Sequence, residues 1–171
     1  METLLVRHSD HGNAGFFAGG YRIPVMEVPT RLVLVSGATM PASFFLEAAG
    51  RDAFEHEGLL AHLNNERKQF IVVRCEAGIT MVCTEAIAYV NIGGRTPEFE
   101  FCEAVGTPHQ PAHIRLCTGE ELRGDFVCLA SPEQSRLSDL LNQPRQRFLL
   151  FTSGSSTYLI NRNAVQQVNP L

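Results

Sequence analysis

"RLSDLLNQPRQRFLLF", from Arg136 to Phe151, says nearly the same thing as "LLAHLNNERKQFIVV", from Leu59 to Val73. An offset of 78 places Leu59 on Leu137, Leu63 on Leu141, Asn64 on Asn142, Arg67 on Arg145 and Phe70 on Phe148. Continued without a gap, it places Met81 on Leu159, Val82 on Ile160, Ala86 on Ala164, Ile87 on Val165 and Val90 on Val168. Upstream the offset becomes 82: Ser36-Gly37 falls on Thr118-Gly119, Met40 on Leu122 and Phe44 on Phe126. The change of offset puts extra residues inside "AAGRDAFEHEG", where a surface connection tolerates insertion. A period this long describes one unit present twice, not a solenoid of many short repeats.

Each copy reads the same way. "RLVLVSG" and "HIRLCTG" alternate apolar positions and end on glycine, as a strand entering a tight turn does. A second strand follows, "SFFLEA" or "DFVCLA". Leu137, Leu140 and Leu141 have the i, i+3, i+4 spacing of one helical face. Ser131, Pro132 and Gln134 supply an N-cap, a first helical position and a capping box. Asn64 and Asn142 stand where a left-handed residue ends a helix. "QFIVVRC" and "RFLLFTS" have too little polar alternation for one solvated face, so Phe70 and Phe148 are both expected in the core. "ITMVCT" or "TYLINR" and a short closing strand complete the unit. Five short strands with one small helix predict a mainly β chain: a tandem duplication of a small five-stranded barrel, SH3-like or Sm-like. The boundaries are an arm at 1–29, a first barrel at 30–92, a Gly- and Pro-rich linker at 93–112 and a second barrel at 113–171. One such barrel buries little of its surface, so packing two together, or self-association, stabilises both.

Composition fits this picture. Of 171 residues, 44% are hydrophobic and 19% charged, enough apolar material for a packed core. The formal charge of −4 argues against a general nucleic-acid or anionic-membrane binder. An odd count of 5 cysteines without a close C-x-x-C pair points to reduced thiols. No signal peptide and no membrane-spanning apolar run are read, so a cytoplasmic location is expected, without membrane insertion.

The second copy resembles a bacterial domain family of unknown function. The resemblance covers Ile114 to Val168 and rests on Arg136, Leu137, Ser138, Asp139, Leu141, Asn142, Phe148, Ile160, Asn161, Val165 and Val168. The first copy departs from that pattern: Gly58 replaces the arginine, Ala61 the aspartate and Cys83 the strand asparagine. The resemblance implies the architecture and no activity.

Several clusters invite a sharper reading. Cys102, His109, His113 and Cys117 offer a Cys₂His₂ set for zinc. Yet Pro108 and Pro111 oppose a helix there, and Cys117 falls on the strand residue Val35. His8, Asp10 and His11 form a second possible cluster, on a glycine-rich stretch. Arg67, Lys68 and Arg74, with Arg145 and Arg147, form repeated basic groups beside Phe70 and Phe148, an arrangement that would suit phosphate and stacked bases. Ser138 has no histidine nearby and no G-x-S-x-G elbow. "GSS" at 154–156 is a turn without the G-K-[ST] of a P-loop. No catalytic residue and no cofactor is nominated. Arg136 and Asp139, three apart, are expected to pair on one helical face. The reading is a non-enzymatic protein–protein interaction or regulatory module, in contact with a protein partner or with itself through Arg136, Asp139 and Arg145. A zinc-supported domain and an Arg-cluster nucleic-acid binder are the alternatives.

Overall fold

The computed structural model describes residues 25–47, 55–94, 107–128, 136–144 and 146–171. It is mainly β. The first half holds β1 (Val25–Leu34), β2 (Thr39–Glu47), α1 (Glu55–Leu63), β3 (Phe70–Cys75), β4 (Gly78–Cys83), a 3-10 turn (Thr84–Ala86) and β5 (Ile87–Asn91). The second holds β6 (His109–Leu116), β7 (Glu121–Val127), α2 (Leu137–Asn142), β8 (Phe148–Ser153), β9 (Ser156–Asn161), a 3-10 turn (Arg162–Ala164) and β10 (Val165–Pro170). β1 begins inside the expected arm, and β6 begins inside the expected linker.

All ten strands belong to one antiparallel sheet in the order β10-β6-β7-β8-β9-β5-β1-β2-β3-β4. Within it, β5-β1-β2-β3-β4 and β10-β6-β7-β8-β9 have the same internal order. The sheet is not closed: β10 lies at one end and β4 at the other. Closure of each unit on itself is absent because β5 pairs with β9 and not with β4.

Local chemistry recurs at both offsets. Gly37 and Gly119 each have φ of 85°, a left-handed conformation that suits glycine. Each turn is tied by the same bond, Gly37 N–H to Leu34 O and Gly119 N–H to Leu116 O, both 2.9 Å. The 3-10 turns are held alike, Val35 N–H to Ala86 O at 2.9 Å and Cys117 N–H to Ala164 O at 2.8 Å.

Two cores follow from the alternation of strand side chains. One gathers Leu32, Phe44, Ile71, Val73 and Val82 beneath Leu59 and Leu63 of α1. The other gathers Ile114, Phe126, Leu149, Phe151 and Ile160 beneath Leu140 of α2. Phe126 and Phe151 meet edge-on, ring centroids 4.9 Å apart.

The C-terminal end of α2 differs from expectation. Ser131, Pro132 and Gln134 lie outside the described residues. The described part of α2 begins at Leu137, with Arg136 at its N-cap and no side-chain cap. Asn142 is its last residue, and the following Gln143 is extended, with φ −64° and ψ 115°. Asn142 therefore does not supply a left-handed stop; its amide donates to Ser138 O at 2.7 Å.

Gly124 sets the spacing of β7 and β8. A Cβ placed there would stand 1.8 Å from Thr152 O. Gly124→Ala must push the strands apart, and the expected cost is about 3 kcal/mol. Chemical denaturation should show a lower midpoint with an unchanged slope; an unchanged midpoint would contradict the close approach.

Candidate interaction surface

The two halves meet where β5 pairs with β9. Tyr89 faces Ile160, Val90 faces Leu159 and Asn91 faces Tyr158. Beyond the strand, Ile92 N–H donates to Thr157 O at 3.0 Å. Side chains reinforce the seam. The Asn64 amide brackets the start of β8: its Nδ2 donates to Phe148 O at 3.0 Å, and its Oδ1 accepts from Phe148 N–H at 2.7 Å. Asn161 is fully buried, and its Nδ2 donates to Ile87 O at 2.8 Å. Arg147 donates to Thr84 Oγ1. Tyr89 O–H donates to Glu120 at 2.6 Å. Burial, helped by Glu120, pushes the Tyr89 phenol well above its ordinary range, so it stays a donor.

The seam is also apolar. Phe148, Leu150 and Leu159 cross from the second half into the first core, and Val33, Ala88 and Tyr89 cross into the second. Burying side chains the size of Phe148, Leu150, Leu159 and Val33 stabilises by about 2 kcal/mol each.

The same positions in the first half have no such cover. Phe148 is 1% exposed, but Phe70, its counterpart, is 55% exposed; Leu159 is 1% exposed, but Met81 is 64%. Val72 and Ile79 are also exposed, while their counterparts Leu150 and Thr157 are buried. The expectation of a core Phe70 is therefore corrected. β3 buries Ile71 and Val73 and turns Phe70, Val72 and Arg74 outward; among the described residues nothing packs over that face as the first core packs over Phe148, Leu150 and Leu159. Every large hydrophobic side chain found exposed within β3 or β4 belongs to this patch. This contiguous apolar surface on an open sheet edge is the candidate interaction surface.

The opposite end carries α2 and β10. Val165, Val168, Leu137 and Leu141 are only partly buried, whereas their counterparts Ile87, Val90, Leu59 and Leu63 are fully covered. Arg136 and Asp139 lie on the exposed side of α2. Among the ion pairs of the described residues, none joins them; Asp139 Oδ1 instead accepts from Ser138 Oγ at 3.4 Å. Arg145 lies outside the described residues.

The remaining candidates are dispersed. His109 and His113 are four residues apart on β6, a Cα separation of about 13 Å in a strand, too wide for parallel imidazoles to share one ion. His113 instead contacts Glu121 at 3.1 Å, and Arg115 holds the same carboxylate at 2.7 Å. The Arg115 hydrogen bond, its charge and His113 keep that carboxyl below its usual range. Cys102, His8, Asp10 and His11 lie outside the described residues, and among those described no three metal-ligating side chains converge. Cys117 is partly buried after β6. Arg74 pairs with Glu27 at 3.0 Å and stacks over Phe45, while Arg147 serves the seam, so the basic residues do not share one groove. Lys68 Nζ lies 3.4 Å from His62 Nδ1. Arg67 is exposed. A small open cleft above the seam is lined by Asn64, Asn65, Glu66, Arg147 and Arg162. Among the described residues no helix is long and apolar enough to cross a membrane. Compared with known proteins, the chain matches no family model, no curated protein and no solved structure.

Asn64 is visible in the sequence as a repeat position and Asn161 as part of the resemblance in the second copy, but their role across the seam is not. Asn64→Ala leaves the Phe148 backbone groups unmatched, and the expected loss is about 2 kcal/mol, a Tm fall of about 5 °C. Asn142→Ala, which removes only a bond within its own helix, should fall less. Equal effects in thermal unfolding would reject the seam role of Asn64.

Proposed function

We propose that the chain is a non-enzymatic protein-interaction module, acting in a bacterial cytoplasm as a tandem pair of small SH3-like or Sm-like β units. The observation that carries this reading is the uncovered apolar face of β3 and β4 on an open sheet edge. Such an edge accepts a partner strand: main-chain bonds supply affinity, and pockets for alternate side chains supply selectivity. Phe70, Val72, Ile79 and Met81 are the apolar anchors. Arg136 and Asp139 of α2, with Arg145, form the polar contact at the other end. The duplication is supported by identical strand order and by turns that match at both offsets. The resemblance of the second half to a bacterial domain family points the same way. Cys75, Cys83 and Cys117 are not in disulfides, which suits a reducing compartment. No specific observation favours zinc or nucleic acid.

The full chain, immobilised in an extract of its own cells, should retain a defined protein that Met81→Arg releases. Circular dichroism should show the same β content for both forms. Retention of the same proteins by Met81→Arg would overturn the reading of this edge as the contact.

A further inference from the structure

We propose that the partner strand is β10 of a second copy of this chain, so that the β4 edge of one molecule and the β10 edge of the next repeat the β5–β9 seam between molecules. This rests on the interaction-module reading and names its partner.

The chain already contains one working example of the contact. β5 ends the β5-β1-β2-β3-β4 segment, and β9 ends the other; joined, they bury both faces. β10 is the counterpart of β5, and β4 is the counterpart of β9. These are the two strands left at the ends of the sheet. Each molecule thus exposes one head and one tail of the same seam.

Register follows from the internal pairing. Val90 opposite Leu159 translates to Val168 opposite Met81 of the neighbour, and Asn91 opposite Tyr158 translates to Asn169 opposite Thr80. The side chains exposed on the head, Phe70, Val72 and Met81, are counterparts of those that the internal seam buries, Phe148, Leu150 and Leu159. The half-covered tail residues Val165, Val168, Leu137 and Leu141 correspond to the internal residues that cover them. α1 reaches across the internal seam through Asn64 to the backbone of Phe148. Asn142, at the end of α2, is the counterpart of Asn64; its amide donates to Ser138 O in the single chain, and in the proposed contact it would turn to the backbone of Phe70 in the next copy.

Four differences make the external seam the weaker one. Cys83 stands where Asn161 donates to a strand carbonyl. Pro170 stands where Ile92 donates its N–H, and proline has none. Gln166 and Gln167 stand where Ala88 and Tyr89 are buried. Association is therefore reversible and depends on concentration. A head-to-tail contact does not end at a dimer; it continues to a closed ring or an open filament.

Light scattering on the purified full chain should show mass rising with concentration in multiples of 18.9 kDa. Met81→Arg blocks the head and Val168→Arg the tail, and each should weaken association about 30-fold. An equimolar mixture of the two should give a dimer and nothing larger, because the joined pair has a blocked head and a blocked tail. A wild-type chain that stays monomeric to its solubility limit would overturn the proposal, as would folded variants whose mixture stays monomeric. If the arginine variants misfold, a chain carrying both Met81→Cys and Val168→Cys should still form an intermolecular disulfide under oxidation that neither single variant forms. No such bond overturns the proposal. A monomeric wild type that still captures another protein through Met81 removes only the second copy as occupant; a monomer with no such capture removes the module reading as well.

Discussion

The short pairing of Tyr89–Asn91 with Tyr158–Ile160 is the constraint on which the rest of the molecule depends. A five-stranded unit of about 60 residues buries too small a fraction of its surface to be comfortably stable alone. Here each core is completed by the other half. Phe148, Leu150 and Leu159 enter the first core, and Val33, Ala88 and Tyr89 enter the second. Main-chain pairing without those side chains would leave both cores open on one face. The same side chains without the pairing would lack a register. The seam is therefore at once a strand ladder and a packing surface, and the buried Asn161 amide fixes how the two are aligned. A buried polar group of this kind penalises any slipped register, since a shift would leave it unmatched.

A seam made from unlike edges leaves an inequality behind. Joining β5 to β9 consumes one edge of each half and, among the described residues, leaves the other edge of each half without a strand beside it. Sheets ordinarily protect such edges with charge, proline or a covering segment. The two ends of this sheet differ in that respect. β10 carries Gln166, Gln167 and Pro170, devices that weaken pairing. β4 carries Ile79 and Met81, flanked by Phe70 and Val72 on β3, and only Arg74 interrupts the face. The end without these devices is also the one whose apolar side chains are the more exposed: Phe70 and Met81 are 55% and 64% exposed, whereas Val165 and Val168 are half-buried.

Much of the architecture is legible in the repeat. The offsets of 78 and 82 locate corresponding strands, the left-handed pair Gly37 and Gly119 and the two 3-10 turns. These features depend on local residues, so a pattern that recurs in sequence recurs in structure. Burial does not follow the same rule. Phe70 and Phe148 occupy equivalent strand positions in similar local sequence, yet one is exposed and the other is in a core. What separates them is the presence of a neighbouring strand, a fact of the sheet order that no local pattern encodes. The same holds for Asn64, which reads as a helix stop and serves as a clamp on a strand 84 residues away. The set at Cys102, His109, His113 and Cys117 looks compact in sequence because it spans few residues. Extended backbone spreads His109 and His113 along β6.

The departures between the halves are consistent with position in the sheet. Asn161 faces a strand carbonyl inside the seam, whereas Cys83 occupies the same place on the open edge. Leu150 and Leu159 fill a shared core, whereas Val72 and Met81 face outward. Had the outward face no role, polar residues would lower the cost of exposing it and reduce the risk of indiscriminate pairing. Arg74 shows that this face accepts charge, through its pair with Glu27. The large apolar side chains of Phe70, Val72, Ile79 and Met81 beside it are exposed, which fits the proposal that this edge is covered by a partner. The polar changes on β10 limit how tightly a like edge can hold it. In the proposed contact between copies, this combination would make association reversible, in contrast to the seam at the centre of the sheet.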